Sequence, residues 1–261
     1  MKGSVGSMGY RFPLITAHCG SMNTIDHTLE SVQTGLRLGA DVVEEDVRVT
    51  KDGIPVLAHD DEWVTVDGLI LSISQMTFEE LKELQFVVTH GEQRETIQIC
   101  RLEDMLPLIQ ASGKVVNLDL KVDESIEPVA ALVKQYGMLE HAFLSGCGMD
   151  RAMLAERLHP EMRKLLNTDH DLFKTLPYRD AMVQTCEDAL AASCFGINIH
   201  YSVVSQELMD YTSSLGLPVY VWTVNEEDLM MQVADLGVAS ITTRNVTALV
   251  QLKQKMRGEC L

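Results

Sequence analysis

The sequence predicts an α/β chain folded as a TIM (β/α)8 barrel, with a small inserted subdomain at about residues 60–100. Three observations carry this. Beyond residue 100, short apolar runs alternate with amphipathic helical stretches, a pattern that demands a parallel sheet. About eight strand–helix units share a chain of 261 residues, which favours a closed barrel over an open sheet. A doubly wound dinucleotide-binding fold would place G-x-G-x-x-G after its first strand, and no such run is present.

Taken in order, Phe12 to Ala17 reads as a short buried strand delivering His18 to its C-terminal end. Asp26 is the expected N-cap of a helix with Leu29, Val32, Leu36 and Leu38 on its apolar stripe, and Gly39 stands where a glycine ends a helix. Val42 to Thr50 is the second strand, Lys51-Asp52-Gly53 a turn, and Pro55 to Ala58 an extended return that delivers His59. In the insertion, Leu69 to Ile73 reads as a small hairpin. Thr77-Phe78-Glu79-Glu80 is a capping-box sequence opening a helix up to Gln85, and His90 to Gln98 reads as a polar loop. A helix follows over Leu102 to Ala111, closed by Gly113.

The remaining strands are expected at Lys114–Lys121, His141–Ser145, Arg163–Asn167, Phe195–Ile199, Pro218–Val224 and Val238–Thr242. Helices separate them at Ser125–Tyr136, Met149–Leu158, Arg179–Ala192, Ser205–Ser214 and Glu226–Leu236, and Asn245–Met256 closes the chain. No linker divides the chain, so one domain is expected over residues 12–261. Residues 1–11 are expected to be a disordered tail, because Met1 to Tyr10 is Gly/Ser-rich and lacks the apolar segment of a secretory signal.

Hydrophobic residues make up 46% of the chain and the mean hydropathy is +0.04, as in ordinary soluble proteins. No apolar run approaches the roughly 18 residues of a membrane helix. The six cysteines are scattered without a C-x-x-C pair, which suits free thiols in a reducing cytoplasm. A net charge of −17 argues against nucleic acid and anionic membranes as partners. An anionic substrate therefore needs local positive charge at its site.

The stretch from Ala17 to Asp60 supplies that chemistry. Side chains alternate along a strand, so Glu44 and Asp46 share a face while Glu45 points away. Two carboxylates on one inner wall repel unless a cation or proton lies between them, and carboxylate oxygens suit Mg²⁺ or Ca²⁺. His18 and His59, each ending an apolar run, make an acid/base pair flanking that metal. In the later strand Asn117, Asp119 and Lys121 share one face and Val116, Leu118 and Leu120 the other. Barrel lumens are normally filled by Val, Ile and Leu, so this polar inner face marks a site. Trp222, near a later strand end, offers an apolar wall.

The bland readings are a solvated carboxylate face, structural histidines and a simple Lys121–Asp119 ion pair; agreement of three lumen-facing acids with two strand-end histidines weighs against the first two. Cys19 is expected to be a buried small thiol rather than a ligand, since it neighbours His18 and should point oppositely. His90, His141, His159, His170 and His200 carry no partner pattern and are taken as surface or packing residues.

The run from His18 to Asp60 resembles the glycerophosphodiester phosphodiesterase family. The family's His-Arg-Gly, Glu-Asn-Thr, Gly-Ala-Asp-x-x-Glu-x-Asp-Val, Thr-Lys-Asp-Gly and His-Asp are matched here by His18-Cys19-Gly20, Asp26-His27-Thr28, Gly39 to Val47, Thr50 to Gly53 and His59-Asp60. Asp119-Leu120-Lys121 looks like the family's Glu-x-Lys, and Trp222 to Asn225 its Trp-Thr-Val-Asn. The resemblance implies metal-dependent hydrolysis of small anionic glycerophosphodiesters to an alcohol and glycerol 3-phosphate. By it Glu44, Asp46 and Asp119 hold Mg²⁺ or Ca²⁺, His18 and His59 act as general base and acid, and Lys121 contacts the phosphate.

The departures are Cys19 for the motif arginine, which removes a bidentate phosphate donor, His27 for asparagine, Asp26 for glutamate and Asp119 for glutamate. Arg244, after the last strand, or His27 is expected to supply the missing positive charge. Two alternatives follow: a sphingomyelinase D-like lyase releasing a cyclic phosphate, and a catalytically impaired binding barrel.

Overall fold

The computed structural model describes residues 12–90 and 93–258, so the expected tail at 1–11 lies outside the described residues. Its strands in chain order are β1 (Leu14–Ala17), β2 (Val42–Val49), β3 (Pro55–Leu57), β4 (Glu62–Thr65), β5 (Ile70–Ser72), β6 (Phe86–His90) and β7 (Gln93–Ile97). There follow β8 (Val115–Leu120), β9 (Ala142–Ser145), β10 (Leu165–Asn167), β11 (Gly196–His200), β12 (Val219–Trp222) and β13 (Ser240–Thr243). Eight of them run parallel in the order β10-β11-β12-β13-β1-β2-β8-β9, and helices connect them on the outside, giving the expected TIM barrel. Between β9 and β10 the ladder thins to a single bridge, Leu144 to Lys164. Leu144 N–H donating to Arg163 O (2.9 Å) and Asn167 N–H to Cys147 O (2.8 Å) hold that seam. Lys164 is fully buried there and pairs with Glu156 at 2.5 Å, which satisfies a charge that would otherwise be costly inside a protein.

The lumen is graded from apolar to polar. Val42, Phe143 and Leu165 form a separate core cluster with Leu14, Val115, Phe195 and Tyr220 packed on it. Edge-to-face contacts link Phe143, Phe195 and Tyr220 at centroid distances of 5.5–5.7 Å. Further along the same faces the inward residues become polar, since period-two alternation carries Val42 to Glu44 and Asp46, and Val115 to Asn117 and Asp119. One end of the barrel is therefore a hydrophobic plug and the other a polar bowl.

On the first helix Val32 is buried and Leu29, Leu36 and Leu38 pack partly buried against the core, and three local expectations are corrected. Thr28, not Asp26, caps the first helix, its hydroxyl accepting from Ser31 N–H; Asp26 is instead held by Arg244. The capping box is Thr77 with Glu80 as expected, but its helix ends at Leu81 rather than Gln85, because Phe86 must turn inward against Trp63. His90 to Gln98 is not a loop: β7 pairs antiparallel with β6, and Leu69 to Ile73 contributes only the edge strand β5, in a four-stranded sheet ordered β5-β4-β6-β7. Glu95, Thr96 and Gln98 are exposed, which looks like loop composition until the partner strand is known. Val56, Trp63, Ile73, Leu81, Phe86 and Ile97 belong to the sheet's own buried core, so the insertion stands as a rigid wall beside the bowl.

Candidate active site

A cleft of about 890 Å³ opens over the polar bowl, and every site residue expected from the sequence lines it. Parallel pairing of β2 with β8 sets Glu44 beside Asn117 and Asp46 beside Asp119. One carboxylate oxygen each of Glu44, Asp46 and Asp119 can be chosen within 4.8 Å of the others. Lys121 Nζ sits 2.7 Å from Asp46 Oδ1 and 3.3 Å from Asp119 Oδ1. The ion pair with Asp119 is thus real, and Asp46 is its tighter member.

The electrostatics of this cluster are those of a site short of positive charge. Burial drives the Glu44 carboxyl well above its ordinary range, and the neighbouring Asp46 and Asp119 push it further. Burial likewise raises Asp119, with Lys121 opposing. Burial acts upward on Asp46 too, but Lys121 and His27 outweigh it and hold that carboxyl below its usual value. The same acids overcome the burial of Lys121 and push it up to about 12. Asp119 Oδ1 makes no well-formed hydrogen bond. Three oxygen donors crowded around one ammonium fit a hard divalent cation. Cys19 lies close enough to His18 and Glu44, and to His27 and Asp46, to join them on a cation, but burial and the surrounding acids raise its pKa and favour the neutral thiol.

His18 borders the carboxylates, its Nδ1 2.9 Å from Cys19 O and 3.9 Å from Glu44 Oε2. Burial is the main cause that lowers its pKa, so the ring is neutral near pH 7. Donation from Nδ1–H to the carbonyl leaves Nε2 with the free lone pair. His59 lies on the open side with its side chain 61% exposed, and its Nδ1 is 2.8 Å from Asp60 Oδ1. Arg48 Nε donates to His59 O at 2.7 Å and fixes that turn.

Cys19 corrects one expectation. It follows the end of β1, where Gly20 has φ of +70°, so strand alternation no longer applies and its Sγ faces Asp46 Oδ2 at 3.7 Å. It is nonetheless the buried thiol foreseen. At the end of the neighbouring strand β13, Arg244 Nη1 and Nη2 donate to the two oxygens of Asp26, both at 2.9 Å. A Cβ on Gly20 would fall 1.7 Å from Asp26 Oδ1 and 2.7 Å from Arg244 Nη1, so that glycine makes room for the pair. His27 has φ of +61° and spans two acids, Nδ1 to Glu45 Oε2 at 3.3 Å and Nε2 to Asp46 Oδ2 at 3.7 Å. Burial opposes its charge, but Glu45 and Asp46 raise its pKa overall. His27 therefore serves the acids rather than standing free.

Several site residues were not singled out from the sequence. Asn167 accepts from Gly146 N–H (2.9 Å) and from Asn198 Nδ2 (3.3 Å); Asn167 ends one predicted strand and Asn198 is next to last in another, each a polar residue in an otherwise largely apolar run. Arg151, from a helix, donates from Nη1 to Leu120 O and Gly146 O, both at 2.5 Å, and from Nε to Asp123 Oδ1 at 2.6 Å. No local pattern announces it. Glu62, Trp63, Val64, Val87 and Val88 of the inserted sheet wall the cleft. Trp222 lines it as expected, edge-on to His200 at 5.2 Å. His159, taken from sequence as a surface or packing residue without a partner pattern, is buried with Glu161, two residues on, at 3.3 Å and with the distant Glu127 at 2.8 Å, the latter a contact no local spacing displays.

A parallel barrel with its acids, imidazoles and lysine gathered at the strand C-termini is an enzyme of the (β/α)8 class. Within that class, residues 11–248 match the model of the glycerophosphoryl diester phosphodiesterase family. The chain belongs to this family and is a phosphoric diester hydrolase. A glycerophosphodiester phosphodiesterase of Caldanaerobacter subterraneus subsp. tengcongensis is 26% identical over 251 residues, spanning 93% of this chain and 98% of its own. The fold is similar to that of an Oleispira antarctica phosphodiesterase solved in complex with the product sn-glycerol-3-phosphate (24% identity, 93% and 97% coverage, TM-score 0.75). It is likewise similar to a glycerophosphodiester phosphodiesterase from Parabacteroides distasonis (22%, 95% and 100%, TM-score 0.75). Among the described residues, no helix is long and apolar enough to cross a membrane.

Proposed function

We propose that this chain hydrolyses glycerophosphodiesters to an alcohol and glycerol 3-phosphate, with Glu44, Asp46 and Asp119 holding Mg²⁺ or Ca²⁺. The observation that carries the reading is the convergence of those three carboxylates beside Lys121, with His18 and His59 lining the same cleft. When bound, a hard divalent cation polarises the phosphate oxygens and offsets charge developing on phosphorus.

The chain's own groups supply the rest. Lys121 places a fixed positive charge beside the phosphate. His18, neutral through burial, accepts at Nε2 the proton of the attacking hydroxyl or water. His59, oriented by Asp60 at Nδ1, returns a proton to the leaving alkoxide. Arg244 takes the part left open by Cys19: Asp26 holds it with one edge, and the guanidinium has further N–H groups for a phosphate oxygen. His27 contributes its charge through Asp46, keeping that carboxyl ionised.

Phosphorus NMR on glycerophosphocholine, with and without chelator, tests the reading. Metal-dependent appearance of glycerol 3-phosphate is expected. A persistent cyclic phosphate would instead identify a lyase, and no turnover at any metal concentration would identify a binding barrel. Arg244→Ala should lower turnover by about 10²–10³-fold; unchanged turnover would remove Arg244 from the phosphate site.

A further inference from the structure

Two of the departures from the family pattern meet in space. Cys19 stands where the motif has arginine and His27 where it has asparagine, and each exchange brings in a side chain that ligates transition metals. Strand alternation argues against Cys19 as a ligand, but the turn at Gly20 aims its thiol inward. Cys19 Sγ and His27 Nε2 both face Asp46 Oδ2, at 3.7 Å each. One ligand atom from each of the three residues lies within 4.8 Å of the others. Zinc bonded to sulfur at about 2.3 Å and to nitrogen and oxygen at about 2.0–2.1 Å separates its tetrahedral ligands by about 3.3–3.5 Å. The two observed separations therefore need to shorten by only about 0.2–0.4 Å to accept such an ion.

The surroundings prepare the same cluster. His27 is 8% exposed, and its Nε2 is aimed at Asp46 from a distance too long for a hydrogen bond. Its Nδ1 lies 3.3 Å from Oε2 of the fully buried Glu45, the carboxylate–histidine arrangement that fixes the tautomer and orientation of a metal-bound imidazole. Asp46 divides its oxygens: Oδ1 is 2.7 Å from Lys121 Nζ, and Oδ2 is turned to Cys19 and His27. Cys19 also lies near His18 and Glu44, but His18 Nδ1 is engaged with Cys19 O at 2.9 Å, so the His27 side is the better donor set.

We propose that Cys19, His27 and Asp46 form a second cation site, selective for a divalent ion that prefers sulfur and nitrogen, such as Zn²⁺, and separate from the oxygen site for Mg²⁺ or Ca²⁺. On binding, a sulfur–metal bond forms and the thiol proton passes to solvent. The ion then supplies the positive charge that His27 carries without it. All three ligands line the cleft, so the fourth tetrahedral position is open to water or to an oxygen of a bound substrate. The site goes beyond the phosphodiesterase reading and does not depend on it.

Anaerobic titration of the full chain with Co²⁺, a zinc substitute whose absorption reports its ligands, tests the site in the presence of excess Mg²⁺. A thiolate-to-cobalt charge-transfer band is expected, and added Zn²⁺ should abolish it by displacement. Among the described residues no other cysteine joins such a cluster, so Cys19→Ser should remove the band. Glu45→Gln should weaken Co²⁺ binding by about 10–100-fold, and His27→Gln by at least as much. Zinc-edge X-ray absorption of the unaltered chain, which depends on no variant folding, should show sulfur and imidazole ligands. No charge-transfer band, a band that Cys19→Ser leaves intact, or displacement by Mg²⁺ would overturn the proposal. So would a band lost in His18→Gln and unaltered in His27→Gln, which would put the ion on the other triplet. A Co²⁺ band in a chain that shows no calorimetric binding of Mg²⁺ or Ca²⁺ would leave this site standing and overturn the oxygen site instead.

Discussion

Gly146→Ala is the most informative single perturbation of this site. Gly146 follows β9 with φ of +69°, and an added Cβ would lie 2.1 Å from Asp119 Oδ1 and 2.4 Å from Leu120 O. The carboxylate can rotate, at the expense of its place beside Lys121. The carbonyl cannot, because Arg151 Nη1 clamps Leu120 O and Gly146 O together and Gly146 N–H is pinned to Asn167. Left-handed backbone for a non-glycine residue costs about 1–2 kcal/mol, and overpacking typically adds about 1–3 kcal/mol. A loss of about 3 kcal/mol lowers the melting temperature of a chain this size by about 6–12 °C. Gly137→Ala is the reference: its φ is +65° but nothing lies within 4 Å of the new atom, so it reports backbone strain alone. Differential scanning calorimetry and metal titration on both variants should show Gly146→Ala less stable than Gly137→Ala and weakened in cation affinity. Equal stability of the two, with wild-type metal binding, would refute the claim that Gly146 shapes the Asp119 position.

Three further predictions follow from the charges and clamps. Burial is the main cause that raises Glu45 from 4.5 to about 7, so the folded state holds its proton more tightly than the unfolded chain. Metal-free stability should fall by up to about 3 kcal/mol as pH rises from about 4.5 to 7; the raised His27 acts in the same direction, and Glu45→Gln should flatten the decline in chemical unfolding curves. Asp119→Asn removes one of three oxygen ligands and should reduce divalent-cation affinity by more than about 100-fold in calorimetric titration, whereas unchanged affinity would exclude Asp119 from the cation site. Arg151→Ala frees the carbonyl ends of β8 and β9 and should cost about 2–3 kcal/mol of stability together with a drop in kcat, and a silent substitution would show that the clamp is dispensable.

The sequence alone determined the barrel, because each strand and helix carries its own periodicity and stop signal and needs no partner to be recognised. It also determined the inward set of Glu44, Asp46, Asn117 and Asp119, since alternation along a strand is a local rule. What depends on pairing was decided only by the tertiary structure. The hairpin from Phe86 to Ile97 has polar residues whose strand character comes from the neighbouring strand. Asp26 could be taken for a helix cap until Arg244, 218 positions away, claimed both its oxygens. Cys19 turned inward because the chain leaves strand geometry at Gly20, and Arg151 reached its carbonyls through contacts about 30 residues distant. Local chemistry sets which way a strand residue faces, but only closure of the ring sets which charges meet.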